Sequence, residues 1–346
     1  MTEKKQHAPR RISPTSLDVA REAGVSQAAV SYALNGVSQA HVSDETRAKI
    51  LQAARKLGYH AHPSARSLRK GQSDEICCII DAPSTLLAYE IHISIMQQIF
   101  QHGYIPVFYV SPSVPTGQWR ETLRGIFARR PMGLIMSQFT SMADEISLAR
   151  QMGIENIVLI SPRPVEDIPA VIFPSSTPGY LAARHLLERG HRHLALVHPR
   201  DPIMQGVFQE RLEGMHAAIG EMPDVALDCL PLSPTLSDAY ALVDTNLMRA
   251  EHPTGIYAFN DDYALPLLRA LADRGVQVPQ EIAVAGTDDL PFCEFVRPSL
   301  TSIRYDSEDA IGQRVVEMLI SLQTGQLLQA TYTHTLTPQL IPREST

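Results

Sequence analysis

The chain has 346 residues, 44 % of them apolar, and a formal net charge of −7. This length predicts two or three domains, and no apolar run approaches the roughly 18–20 residues of a membrane span. The polar, basic N-terminus argues against a secretory signal. Cys77 and Cys78 are adjacent within an apolar run, which favours buried thiols over a disulfide framework.

Charge divides the chain into a basic beginning and an acidic remainder. Residues 1–70 hold twelve Lys and Arg against five Asp and Glu, which leaves 18 of the 30 basic and 32 of the 37 acidic residues for the rest. A basic segment on an acidic body is typical of a protein that binds an anion at one end. A solvated basic tail would give the same counts.

Two short helices are predicted in the stretch "DVAREAGVSQAAVSYALNG", residues 18–36. Gly24 supplies a left-handed residue that ends the first helix, and Ser26 is a good N-cap for the second. Two short helices joined by such a turn make a helix-turn-helix. The outward side chains of the second helix are candidates for contacts to bases or phosphates, and they are Gln27, Ala28, Ser31, Tyr32 and Asn35.

A third helix is predicted to follow. Ser43 is its N-cap, Gly58 ends it, and apolar residues recur at helical spacing between them. Three helices within about 45 residues predict a small independent bundle. An ordinary helical subdomain without DNA binding is the alternative.

From these motifs the chain resembles the lactose/galactose-repressor family of bacterial transcription regulators. The head carries the resemblance in three stretches, "DVAREAGVSQAAVSYALNG", "VSDETRAKILQAARKLGY" and "ARSLRKGQS". The remainder continues it in "GHRHLALV", "RLEGM", "PTGIYAFNDDYAL", "VPQEIAVAGTDDL" and "PSLTSIRYD". The resemblance therefore covers nearly all of the chain from Thr15 to its end.

The resemblance implies a set of DNA contacts in the head and in a hinge at residues 60–73. A hinge helix is expected to enter the minor groove, where a leucine wedges between base steps. The usual Pro-Asn before that helix is Ala61-His62 here, and Tyr32 replaces a usual arginine. The implied DNA-binding residues are Thr15, Ser26, Gln27, Ala28, Ser31, Tyr32, Asn35, His41, Ser64, Ala65, Arg66 and Leu68.

Beyond residue 74, short apolar strands alternate with amphipathic helices. This alternation predicts doubly wound parallel sheets, and about 270 residues is long for one such sheet. We expect two Rossmann-like lobes of the periplasmic-binding-protein type that the family has. The expected division is a tail at 1–14, a helix-turn-helix domain at 15–59, the hinge at 60–73, lobe 1 at 74–172 and 305–333, and lobe 2 at 173–304 and 334–346.

Polar residues follow several predicted strands, where open α/β sheets bind ligands. The resemblance implies that Arg211, Asn260 and Asp288 bind a small-molecule effector. Looser candidates in lobe 1 are Leu87, Ala88, Ser137 and Ser161, the last standing where many members carry an acidic residue. For Asp261 and Asp289, capping of a helix N-terminus is the favoured interpretation.

Enzyme signatures such as a phosphate-binding G-x-x-x-x-G-K-[ST] or H-E-x-x-H are missing from the sequence. His191 and His193 form a conceivable metal pair, but surface histidines are favoured, and we expect neither metal nor cofactor. The sequence therefore predicts a dimeric, cytoplasmic, nucleoid-associated bacterial regulator that binds a pseudo-palindromic operator, most simply a repressor. Its expected effector is a sugar or sugar derivative. The alternatives are a purine-like or other metabolite, a sugar-binding protein without DNA binding, or, last, an enzyme.

Overall fold

The computed structural model describes residues 14–34, 42–59, 71–80, 85–112, 117–137, 142–220, 222, 224–326 and 333–346. The chain divides into two compact units, a head at 1–74 and a body at 75–346. Residues 60–70 of the predicted hinge at 60–73, including Ser64, Ala65, Arg66 and Leu68, lie outside the described residues, as do Asn35 and His41. The hinge and domain boundaries therefore stay predictions.

The head contains the three predicted helices, α1 (Ser16–Ala23), α2 (Gln27–Leu34) and α3 (Asp44–Leu57). Gly24 and Gly58 are left-handed, with φ of 66° and 64°, and each ends its helix as predicted. Ser26 and Ser43 accept hydrogen bonds from the backbone N–H three residues later, so both are N-caps. Val19, Val30 and Ile50 are fully buried where the helices meet, and they form the centre of a small core.

The first lobe of the body is built on a six-stranded sheet in which every neighbouring pair is parallel. Its strand order is β11-β5-β4-β3-β1-β2, and the strands are β1 (Glu75–Ile80), β2 (Ile105–Val110), β3 (Gly133–Ser137), β4 (Ile157–Ser161), β5 (Ala170–Ile172) and β11 (Thr333–Thr335). Its helices are α4 (Leu86–Gln101), α5 (Gly117–Phe127), α6 (Ala143–Gln151) and α11 (Glu308–Gln323).

Both faces of this sheet are covered, as continuous apolar strands require. Along β1, Ile76 and Cys78 pack into the same core as α4, whereas Cys77 and Ile79 pack on the opposite side with α5 and α6. Cys77 and Cys78 are buried free thiols, as predicted.

The second lobe has a four-stranded parallel sheet in the order β7-β6-β8-β9. Its strands are β6 (His193–Pro199), β7 (Ala226–Leu232), β8 (Gly255–Ala258) and β9 (Ala283–Ala285), and its helices are α7 (Ser176–Glu188), α8 (Gln205–Ile219), α9 (Leu236–Leu242) and α10 (Asp261–Asp273). Helices α7 and α8 pack against each other, and α9 packs against α10. The predicted fold class, two parallel-sheet lobes behind a helix-turn-helix head, is confirmed.

The chain crosses between the lobes three times. It passes from β5 to α7, from β10 (Ser302–Arg304) to α11, and from β11 to β12 (Gln339–Ile341). Strand β12 pairs antiparallel with β10, and β11 pairs parallel with β5, so the crossings are bound to one another at both ends. The predicted lobe boundary between residues 333 and 334 falls inside β11.

Candidate functional site

A cavity lies between the two lobes. Ser137 and Ser161 are the last residues of β3 and β4, and Asn260 follows β8, so the cavity has formed at the carboxyl ends of the strands. The structure brings all seven predicted effector residues to its wall, namely Leu87, Ala88, Ser137, Ser161, Arg211, Asn260 and Asp288. Their binding of an effector stays a prediction that this arrangement supports.

Arg211 enters the cavity wall from α8 and is only 5 % exposed. Its guanidinium carbon lies 4.2 Å from the centre of the Phe259 ring, a cation–π distance. Its Nε and Nη1 are buried and have no hydrogen-bond partner among the described residues. Burial alone would lower the pKa of Arg211, but the nearby Tyr257, Tyr305 and Asp288 outweigh it and raise that pKa. The side chain therefore presents a charged group with unused donors.

Asn260 and Asp288 stand side by side on the same wall. The Asn260 amide Nδ2 donates to Asp288 Oδ2 over 3.2 Å, and Asn260 Oδ1 has no partner among the described residues. Asp288 has a φ of 105°, a left-handed conformation that L-residues rarely adopt. Burial raises the pKa of the Asp288 carboxyl well above its usual value, and Asp261 adds to the effect while Arg211 opposes it.

Lobe 1 supplies the opposite wall from α4, β3 and β4. Ser161 donates its hydroxyl hydrogen to the backbone carbonyl of Arg163 over 2.7 Å, so its oxygen still has acceptor capacity toward the cavity. His92 lies one helical turn after Ala88 on α4 and also lines the cavity. Burial lowers the pKa of His92 to about 4, so its ring is neutral, and its Nε2 has no partner among the described residues.

The capping interpretation of Asp261 and Asp289 is wrong. Asp261 is fully buried and accepts from Leu290 N, Ser302 Oγ and Cys293 Sγ, so it ties together the loops beyond the sheet. Asp289 forms ion pairs with Arg304 and Arg343, both at 2.6 Å. Asp261 is the first residue of α10, but no side-chain hydrogen bond caps that helix, and both carboxylates bond to other parts of lobe 2.

Sequence reasoning missed several lining residues. Thr85, His92, Phe173, Ser175, Phe259 and Tyr305 all line the cavity. The sequence could have indicated four of them by their position after strands. Phe173, Phe259 and Tyr305 each follow a strand directly, and Ser175 comes two residues after Phe173. His92 had a second signal, since it is four residues after Ala88 and so shares its helix face.

Two contacts join the lobes beside the cavity. The backbone N–H of Leu86, at the start of α4, donates to Asp262 Oδ2 on α10 over 3.1 Å. Arg163, which follows β4, forms an ion pair with Glu210 on α8. The structure therefore holds the two walls together through groups from both lobes.

In the head, Thr15 is the N-cap of α1 and forms a reciprocal capping box with Asp18. Gln27 and Ala28 are exposed at the start of α2, and Gln27 Nε2 donates to Ser16 Oγ over 2.9 Å. Ser31 and Tyr32 are half-buried, and Tyr32 packs against the head core. On the predicted outward face of α2, the side chains of the first turn are thus exposed to solvent, whereas those of the next turn are half-buried.

The remaining alternatives concern metals and membranes. His191 Nδ1 lies 3.0 Å from Thr254 Oγ1, and His193 pairs with Asp228, so these two histidines serve different partners. Within the described ranges no group of three or more His, Cys, Asp or Glu side chains is placed to hold a metal ion. No helix in the part of the chain that the structure describes is long and apolar enough to cross a bilayer.

A capped helix-turn-helix head and a two-lobed α/β body with an interlobe cavity define the class of ligand-responsive DNA-binding regulators. Residues 15–62 match the family model "Bacterial regulatory proteins, lacI family", and residues 183–346 match "Periplasmic binding protein-like domain". The chain is 31 % identical over 316 residues to the HTH-type transcriptional regulator GntR of Pseudomonas aeruginosa, with 90 % of each chain covered. It belongs to the lacI family of bacterial regulatory proteins and is a DNA-binding transcription regulator.

Two further relatives show the same relation over the whole length. The HTH-type transcriptional repressor PurR of Mannheimia succiniciproducens is 27 % identical over 310 residues, covering 88 % of this chain and 90 % of that one. The lac repressor dimer bound to operator and the anti-inducer ONPF superimposes with a TM-score of 0.81 at 25 % identity, covering 96 % of this chain and 99 % of that one. These likenesses extend the family assignment to both the head and the body.

Proposed function

We propose that this protein is a transcriptional repressor that acts as a homodimer on a pseudo-palindromic operator in the bacterial cytoplasm, at the nucleoid. A small-molecule effector in the interlobe cavity controls it, and the protein has no catalytic activity. The observation that carries the proposal is the joint presence of a helix-turn-helix head and a cavity lined by polar groups from both lobes. The lac repressor relative, solved as a dimer on its operator, supports the dimeric form.

The cavity favours a polyhydroxylated effector. Hydroxyl, amide and carboxyl groups from Ser137, Asn260 and Asp288 can each exchange hydrogen bonds with ligand hydroxyls. The Phe259 ring offers an apolar face beside them. A sugar or sugar derivative can use all of these groups, because its hydroxyls donate and accept hydrogen bonds around the whole molecule. The purine-like effector that the PurR name suggests is therefore the second candidate.

Control of DNA binding requires that the effector bind two lobe arrangements with different affinities. Arg211, Asn260 and Asp288 belong to lobe 2, whereas Ser137 and His92 belong to lobe 1. The affinity of a ligand that contacts both walls depends on the distance between the walls. Such a ligand therefore shifts the population toward the lobe arrangement that it binds more tightly. A change in lobe arrangement then alters how the two bodies of the dimer are placed, and this in turn changes the DNA binding of the two heads.

The test replaces Asp288 by glycine, because glycine adopts the left-handed conformation of this residue without strain. Glu213→Ala is the control, since Glu213 is an exposed carboxylate on the same helix as Arg211. An operator is first selected from random DNA, and a thermal-shift screen of metabolites identifies the effector. Calorimetry then measures effector affinity, and fluorescence anisotropy measures operator affinity with and without effector.

We expect Asp288→Gly to bind unliganded operator like the wild type and to bind effector about ten- to hundredfold more weakly. This range corresponds to the roughly 1.5–3 kcal/mol of a hydrogen bond to a charged group. Glu213→Ala should keep both affinities. Full effector affinity in Asp288→Gly would remove Asp288 from the effector site. Failure of the wild type to select any operator would refute the regulatory function itself.

A further inference from the structure

The cavity carries a buried positive charge that the described residues do not neutralise. Arg211 is almost completely removed from solvent, and its Nε and Nη1 have no acceptor in the part of the chain that the structure describes. Among the described residues, no carboxylate oxygen forms an ion pair with it within 4.0 Å. A buried charge without a partner costs several kcal/mol, so an anion bound beside this one would be favoured.

The two nearest acidic residues are already committed elsewhere. Glu210, next to Arg211 on α8, forms its ion pair with Arg163. Asp288 is turned toward Asn260, whose amide donates to its carboxyl oxygen, and burial keeps the Asp288 pKa well above its usual value. Among the described residues, Asp288 forms no ion pair with Arg211 within 4.0 Å, and its charge acts on the guanidinium only from a longer distance. Arg211 is thus the cation among the described residues that line the cavity, and it has no ion-pair partner there.

Unpartnered polar atoms also occur on the other wall. His92 Nε2 is buried without a partner among the described residues, and the His92 ring is neutral. A neutral imidazole offers one donor and one acceptor, which suits a hydroxyl group and gives an anion no extra attraction. The cavity therefore has a cationic end at lobe 2 and a neutral, hydrogen-bonding end at lobe 1.

We propose that the effector is a polyhydroxylated carboxylic acid whose carboxylate binds Arg211 and whose hydroxyl groups reach His92 and Ser137 across the cavity. This inference rests on the proposed function and narrows its effector from sugars in general to sugar acids. A carboxylate matches the planar fork of the guanidinium with two parallel hydrogen bonds. One carboxylate also balances one arginine, whereas a phosphate group would bring close to two negative charges to a single cation.

The test compares each acid with its uncharged counterpart. Glycerate and glycerol form the smallest pair, because glycerate joins a carboxylate to two hydroxyls, and five- and six-carbon aldonates are paired with their alditols. Thermal unfolding of the full-length protein is measured at constant ionic strength, because ligands that bind the folded state raise its melting temperature. Arg211→Gln removes the cation, Arg211→Lys keeps it, and Arg184→Gln removes an exposed arginine of the same lobe.

We expect at least one acid to bind ten- to hundredfold more tightly than its alditol, as calorimetry of that pair will measure. Arg211→Gln should abolish the preference, while Arg211→Lys and Arg184→Gln should retain it. If Arg211→Gln fails to fold, the retained preference in Arg211→Lys and the wild-type pairs still decide the matter.

Equal or weaker stabilisation by the acid in every pair overturns the proposal. Arg211-dependent stabilisation by inorganic phosphate or glycerol phosphate that exceeds the effect of every acid also overturns it, in favour of a phosphorylated effector. Neither result affects operator selection by the head, which is measured separately. A failure of the sugar-acid proposal is therefore distinguishable from a failure of the regulatory function.

Discussion

Asp261 shows how a single buried carboxylate can hold the base of a binding site. It begins α10, directly after Asn260, and its two oxygens accept from one backbone N–H, one hydroxyl and one thiol. A Cβ at Gly286 would lie 2.1 Å from Asp261 Oδ1, so glycine at that position makes room for the carboxylate. The position of Asn260 in the cavity wall thus depends on a residue outside that wall.

Asp261 should make the stability of the protein depend on pH. Burial raises its pKa from 3.8 to about 7 in the folded protein. Between these values the folded state holds a proton that the unfolded chain has released, so this contribution to stability falls as pH rises from about 4 to 7. In Asp261→Asn the amide can accept from Leu290 N and donate to Ser302 Oγ. The variant has no titratable group at this position, so its stability lacks this pH dependence.

The measurement is urea unfolding of the wild type and Asp261→Asn at several pH values between 5 and 8. The wild type should lose stability relative to the variant by up to about 1.4 kcal/mol per pH unit between pH 5 and 6, and by less as pH approaches 7. A difference that is independent of pH in this interval would show that Asp261 is ionised throughout.

The sequence alone predicted the residues that bond to near neighbours in the chain. It missed the roles of residues whose partners are distant in the sequence. The left-handed Gly24 and the caps Ser26 and Ser43 follow from neighbouring residues, because a helix end is a matter of one turn of chain. Asp261 and Asp289 were assigned as caps for the same local reason. The partners of the two carboxylates lie between 15 and 54 residues away in the sequence, and only the folded lobe brings them together.

At the scale of elements, the crossing of α7 and α8 determines where Arg211 lies. A Cβ at Gly179 would stand 2.0 Å from the Arg211 carbonyl oxygen, and one at Gly214 would stand 1.9 Å from the Ser176 carbonyl oxygen. Real Cβ contacts do not occur at such distances, so the two helices approach each other at glycines. The backbone of the arginine is itself part of the helix contact.

Gly179→Ala should therefore push the helices apart. Alanine has the better helix propensity by roughly 1 kcal/mol, but overpacking costs typically about 1–3 kcal/mol and here the obstacle is backbone. We expect net destabilisation of about 1–2 kcal/mol by urea unfolding, together with weaker effector binding. Gly125→Ala is the control, because Gly125 is an exposed helical glycine with no neighbour within 4 Å of its Cβ position. The control should be neutral or slightly stabilising, and equal behaviour of both variants would contradict the close crossing.

The elements that the sequence predicted are those that bury continuous apolar runs. Eight apolar runs beyond residue 74 predict strands, and each overlaps one strand of the two main sheets; they are "EICCIID", "IPVFYV", "GLIMS", "NIVLI", "AVIF", "HLALVH", "TGIYAF" and "EIAVAG". Strand β7 was missed because its burial is uneven and Pro231 interrupts its pattern. Strands β10, β11 and β12 have three residues each and include polar, exposed positions, so no apolar run marks them as one marks the fully buried three-residue strands β5 and β9.

At the scale of the whole molecule, the basic charge is concentrated in the head and the acidic charge in the body. The first 70 residues carry an excess of seven basic charges, and the rest carries an excess of fourteen acidic ones. The head should therefore release counterions on binding DNA, while the acidic body is repelled from the phosphates.

Operator affinity should fall steeply with salt for this reason. Six to ten phosphate contacts predict a loss of about 10³–10⁵ in affinity between 50 and 200 mM salt. Fluorescence anisotropy across this range gives the slope of log affinity against log salt concentration. Calorimetry of the effector at the same concentrations serves as the comparison, since a buried site is screened less. A slope near zero for DNA would show that the basic head does not contact phosphates.

The three crossings between the lobes have a mechanical consequence. A single strand would let one lobe swivel and slide freely against the other. Here β11 pairs with β5 in one lobe and β12 pairs with β10 in the other. The third crossing segment is therefore hydrogen-bonded to each of the other two. Segments paired in this way restrict sliding of the lobes more than hinge bending about the crossings. We therefore expect an occupant of the cavity to act on the body by changing the angle between the two lobes.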